Sequence, residues 1–154
     1  MLLFAKKSTC YLRLDLLPIV GRSDPEWHSY RLLAGTTDGP TDVLQSTSDY
    51  TLFLSKHPEE EVHELCAGIE RVVQAGGEFR FEPIDERDFI MEIERRGDEL
   101  IVTVDATERP FSKAIGWPEG LAVSASALTR FSEGLRLEYA EICAAESPKK
   151  ARER

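Results

Sequence analysis

Along residues 9 to 20, TCYLRLDLLPIV, the apolar Leu12, Leu14 and Leu16 alternate with Tyr11, Arg13 and Asp15, the period-two signature of a half-buried strand. WHSYRLLA at 27 to 34 and SDYTLFLS at 48 to 55 predict two more strands. Between them lie GRSDPE and GTTDGPTD, whose glycines and prolines exclude regular structure. From Pro58 the period changes: Val62, Leu65, Cys66, Ile69, Val72 and Val73 recur at helical spacing. Pro58 suits the first helical position, and the three glutamates after it sit where the helix dipole favours negative charge. Gly76 and Gly77 stop the helix. At ~1.5 Å per residue the rod is on the order of 25 Å long, enough to lie across several strands.

Three β-like runs follow in close succession, EFRFE, DFIMEIER and ELIVTVD, the last two turning at Gly97 and Asp98. Strands this close pair only as an antiparallel meander, because a parallel neighbour needs a crossover of about a dozen residues or more. TERPFSKAIGWPEG at 107 to 120 reads as a long loop, and LAVSA at 121 to 125 as a last short strand. Ser124 or Ser126 then caps a second helix whose buried face is Leu128, Phe131, Leu135, Tyr139 and Ile142. LRLEYAEI within that helix also alternates, so residues 135 to 142 fit either a helix or a strand. The expected fold class is α+β: a mainly antiparallel sheet of six to seven strands, with one long helix packed on it and a C-terminal helix. Residues 1–146 form one domain with no internal repeat, and SPKKARER at 147–154 is expected to be a disordered basic tail.

Composition places the chain among ordinary soluble globular proteins, at 42% hydrophobic and 31% charged residues. With 154 residues it can bury a sizeable core without disulfides or metal. No segment approaches the ~18 apolar residues of a membrane span, and MLLFAKK places its apolar residues before its lysines, the reverse of a secretory signal. A cytoplasmic address is expected. Cys10, Cys66 and Cys143 lie far apart in apolar patterns and read as reduced, buried thiols.

Charge changes the picture of partners. The formal net is -9; the last eight residues carry four basic side chains against one glutamate, so removing their +3 leaves -12 on residues 1–146. Such a body repels phosphate backbones and attracts basic proteins, so nucleic acid is not an expected ligand.

Candidate chemistry is sparse. His57, Glu59, Glu60, Glu61, His63 and Glu64 cluster at the start of the first helix, but Cys66, one turn from His63, belongs to the apolar stripe. HELCA also ends in alanine where a metalloprotease needs its second histidine. The cluster reads as a solvated, dipole-matched helix end. Glu82, Asp85, Glu86 and Asp88 crowd one strand connection, yet Arg80 and Arg87 are interleaved and no EF-hand spacing is present. Neither a nucleophile elbow nor a phosphate-cradling loop occurs, and RGD at 96 to 98 is a hairpin tip. No catalytic residue, metal or cofactor is therefore expected. Phe111, Ile115 and Trp117 fall in the long loop, and aromatic side chains on a loop are residue types that dominate protein interfaces; the competing and slightly favoured reading has Trp117 fold back to plug one end of the core.

The helix EEEVHELCAGIERVV followed by EFRFEPIDERDFIMEI, with Phe81, Glu82, Pro83 and Phe89, resembles the WapI family of bacterial immunity proteins over roughly residues 48–140. The resemblance implies a non-enzymatic protein that neutralises a cognate toxin by blockade. Its contact candidates are Glu82, Asp85, Glu86, Asp88 and Trp117. Two other classes stay open: a small-molecule-binding module or hydrolytic enzyme with a pocket between sheet and helix, and a subunit that only self-associates. Oligomeric state is not legible.

Overall fold

A computed structural model of the chain describes residues 1–6, 10–18, 28–36, 52–55, 57–84, 89–106 and 120–150. Within them the elements run β1 Leu2–Phe4, β2 Cys10–Pro18, β3 His28–Thr36, β4 Leu52–Ser55 and α1 Pro58–Ala75. They continue with β5 Glu78–Phe81, β6 Phe89–Arg96, β7 Glu99–Ala106, β8 Leu121–Val123 and α2 Ala125–Lys150.

The expectation of one sheet of six to seven strands is wrong. The strands form two antiparallel four-stranded meanders, β1-β2-β3-β4 and β5-β6-β7-β8. Two physical facts separate them from the simpler picture. The three residues of β1 are too few for alternation to be visible, and α1 lies between β4 and β5 in the chain, so the second meander starts afresh beyond it. The sheets meet edge to edge where the Lys6 N–H donates to the Ala122 carbonyl at 2.8 Å, placing the end of β1 beside β8. The meander over β5, β6 and β7 does pair as the spacing predicts, with Arg96 opposite Glu99 across a two-residue turn at Gly97 and Asp98. Gly97 carries the positive φ of 61° that the turn requires.

The order of elements repeats: four strands and a helix, then four strands and a helix. Each helix packs on the first two strands of the other half, α1 on β5 and β6, α2 on β1 and β2, and the helices pack on each other. A spacing of 66 residues relates their buried stripes, Val62 with Leu128, Leu65 with Phe131, and Ile69 with Leu135. Equivalent positions also meet across the helix interface. The Cys66 thiol donates to the Ser132 carbonyl at 3.4 Å, and the Arg136 guanidinium pairs with the Glu70 carboxylate. Burial pushes the Cys66 thiol up from its ordinary value of 9.0, the Ser132 contact opposing that shift. Residue identities differ at nearly all these positions, which is why the chain reads as having no repeat.

Gly68 and Gly134 are an exception, and each lets a residue at the start of a half's first hairpin, Phe79 of β5 or Met1 just before β1, close onto a helix. The Phe79 ring lies over Gly68, and the Met1 side chain lies over Gly134. The two positions should answer differently to alanine. Gly68→Ala places a methyl inside the Phe79 ring, whose own site is buried, so overpacking of about 1–3 kcal/mol outweighs a helix-propensity gain of about 1 kcal/mol. At Gly134 the obstacle is an unbranched methionine side chain that can swing aside, so the propensity gain should dominate. Urea unfolding of the two variants is expected to show a net loss for Gly68→Ala and none for Gly134→Ala.

The stop of α1 and the start of α2 fall where their sequences suggest. In α1 the Gly76 N–H donates to the Val72 carbonyl at 3.0 Å with a φ of 78°, and Arg95 Nη2 donates to the Val73 carbonyl at 2.7 Å. At the start of α2, Ser124 Oγ accepts the Ala127 N–H at 3.2 Å, an N-cap. Residues 135 to 142 are helical, so the strand alternative does not stand, and Leu137 is 66% exposed because it falls on the outward side. The helix backbone runs to Lys150, into the segment read as a tail; residues 151–154 lie outside the described residues.

The core joins both sheets and both helices. Leu12, Leu14 and Leu16 of β2, Met91 and Ile93 of β6, Phe131 of α2 and Ile69 of α1 belong to one buried cluster. The cysteines divide: Cys66 is buried as expected, Cys10 is only partly buried, and Cys143 is exposed on α2, which corrects the reading of three buried thiols.

Candidate functional site

Where α1 meets the second sheet, a half-open groove of about 760 Å³ runs beside β5. One wall is the outward side of α1, with Glu64, Ala67, Gly68 and Arg71; the other is Glu78, Phe79 and Arg80 of β5 with Glu92, Ile93 and Glu94 of β6. A second hollow of about 460 Å³ shares Glu64 and Arg80 with it and adds Glu82, Pro83 and Ile84. Their form follows from the local sequence. EFRF alternates so that Phe79 and Phe81 turn into the core while Glu78 and Arg80 face out. The absent side chain at Gly68 lets the Phe79 ring come close enough to form the floor.

The groove is charged throughout its rim. Strand register sets Glu78 opposite Glu94, a like-charged pair, and Arg80 opposite Glu92. Arg80 bridges the rim, its Nε donating to Glu82 Oε1 at 2.8 Å and its Nη1 to Glu92 Oε1 at 2.8 Å. Donating to these carboxylates, Glu82 first and then Glu92, holds the exposed guanidinium above its ordinary value. Glu94 accepts from Arg96 Nε at 2.9 Å. Arg71 lies over the Phe79 ring, 5.6 Å from its centroid. Taken together, the rims of the two hollows present five glutamates and two arginines.

Of the contact candidates, Glu82 lies at this site, half-buried just past β5 and ion-paired with Arg80. Asp85, Glu86, Asp88 and Trp117 lie outside the described residues, as do Phe111 and Ile115. At the start of α1, His57, Glu59, Glu60, His63 and Glu64 are exposed, in line with a solvated helix end. Glu61 departs from that reading. It is fully buried, and its Oε1 accepts the Ile84 N–H at 2.6 Å, tying the connection after β5 to the helix. Among the described residues, no group of three or more His, Cys, Asp or Glu converges on a metal-holding geometry. No described helix is long and apolar enough to cross a membrane.

Sequence reasoning took Glu64 only as part of a solvated helix end and passed over Arg71, Glu78, Glu92 and Glu94, which sit on three separate elements. One signal was present: a glycine inside a helical pattern marks close approach of another group, and Gly68 is such a glycine. Comparison of the chain with protein-family models, with curated proteins and with solved structures finds no match to any of them.

Proposed function

We propose that this chain is a non-enzymatic protein-binding protein that takes a basic partner along the β5 groove. The observation that carries the reading is the composition of the groove rim, five glutamates against two arginines, with Arg80 held by Glu82 and Glu92 and Arg71 seated on a ring. The net charge of -9 supports the same partner class and would speed its approach. The resemblance to WapI immunity proteins gives that partner a concrete form, a cognate toxin neutralised by contact. A small-molecule site draws support from size, since the groove falls in the range of about 300–1,000 Å³ typical of ligand pockets. Such pockets are mostly apolar, however, and this one is rimmed by carboxylates and guanidinium groups.

The double variant Glu64→Lys/Glu78→Lys reverses charge on both walls while leaving the Arg80 bridge in place. Protein retained from the source cell on immobilised wild type, identified by mass spectrometry, should be basic. Its retention is expected to fall at least tenfold on the variant and to weaken steadily as salt rises. Retention unaffected by both charge reversal and salt, or a metabolite copurifying with the wild type in place of a protein, overturns the proposal.

A further inference from the structure

We infer that the outer edge of β5 takes up a basic, extended segment of the partner as an additional strand. The inference rests on the protein-binding reading above and supplies its mode.

The backbone register points to the edge. Arg95 N–H donates to the Gly77 carbonyl at 3.0 Å, and pairing continues with Phe79 opposite Ile93 and Phe81 opposite Met91. Backbone groups alternate along an antiparallel strand, so Gly77, Phe79 and Phe81 bond inward to β6 while the N–H and C=O of Glu78 and Arg80 face outward. β5 ends its sheet, and no described strand pairs on that side. A row of outward N–H and C=O groups is a template for another chain.

The internal repeat supplies an independent contrast. Leu3 of β1 pairs with Leu12, and Phe81 of β5 pairs with Met91, so Lys6 and Ile84 stand equally far beyond equivalent positions. Lys6 N–H reaches across to Ala122 and closes the seam between β1 and β8. Ile84 N–H is instead turned to Glu61 of its own flank. One edge is sealed by the neighbouring sheet; among the described residues the matching edge is not.

Charge and shape select the occupant. Side chains of an added strand alternate, so one set would stand on the side of Glu78, Arg80, Glu92 and Glu94, and the other over Ala67, Gly68 and Phe79, between Glu64 and Arg71 of the α1 wall. Lysine or arginine alternating with a small apolar residue satisfies both sides.

The probe is a capped octapeptide of alternating lysine and valine, added to the full chain and followed by NMR of the backbone amides. Hydrogen exchange at Glu78 and Arg80 should slow at least tenfold, and the same peptide N-methylated at every residue should lose at least tenfold in affinity. Arg80→Pro, which removes an outward N–H, should lose as much, whereas Arg80→Ala, which removes the same charge and keeps the N–H, should not. If Arg80→Pro fails to fold, the methylated peptide and the wild-type exchange data decide. Equal binding of the methylated peptide, or no protection at Glu78 and Arg80, overturns strand addition. Concentration-dependent protection of these amides without peptide assigns the edge to a second copy and overturns it as well. Should charge-dependent retention of a basic protein persist in either case, the protein-binding reading stands and only its mode falls; loss of both removes both.

Discussion

Phe81→Ala is expected to destabilise the protein by about 3–5 kcal/mol, the range for deleting a buried aromatic ring and leaving most of its cavity behind. Phe81 is 1% exposed, at the end of β5, with its ring centroid 5.9 Å from that of Phe89 at a tilt of 49°. The pair joins the end of β5 to the start of β6, so truncation loosens the strand that walls the groove as well as the core. For a chain of this length each kcal/mol moves the thermal midpoint by roughly 2–4 °C, so a fall of roughly 10 °C is expected by calorimetry. A midpoint within about 2 °C of wild type would mean that the ring does not fill a core site.

Glu61→Ala carries the second large effect, about 1–4 kcal/mol. Its carboxylate is fully buried in the first turn of α1 and accepts the Ile84 N–H at 2.6 Å. Removal strands that amide, at about 1–3 kcal/mol, and takes an anion from the positive end of the helix, at about 0.3–1 kcal/mol. Glu61→Gln keeps an acceptor of the same shape and should cost about half as much. Beyond denaturant titration, exchange of the Ile84 amide should speed markedly in the alanine variant. Pro83 and Ile84 line the smaller hollow, so the same variant should weaken partner retention. An Ile84 amide exchanging at the wild-type rate in Glu61→Ala would remove the buried carboxylate from its assigned role.

Much of the local structure was legible. The helical spacing from Val62 to Val73, framed by Pro58 and Gly76, corresponds to α1 within a residue or two, because an amphipathic stripe with a stop at each end has few other ways to fold. EFRF, FIMEIERR and ELIVTVDA pair in chain order because their connections are too short for any crossover. The candidate site was legible at one position, Glu82, and Glu61 was misread as a solvated helix-end acid. Nothing in EEEVHELC distinguishes Glu61 from Glu59 and Glu60; burial is decided by the chain segment that folds over it.

By themselves, the residues determined periods, stops and overall charge: which stretches are helices or strands, which sides are apolar, and that the surface is acidic. Those are properties of neighbours within about one turn or one hairpin. Only the tertiary structure decided that the strands divide into two meanders, that each helix covers the opposite half, and that β5 stands at an edge beside carboxylates from three elements. The reason is separation along the chain: Lys6 and Ala122 meet through a backbone N–H and carbonyl that nearly every residue possesses, so their pairing leaves no mark in the identity of the side chains.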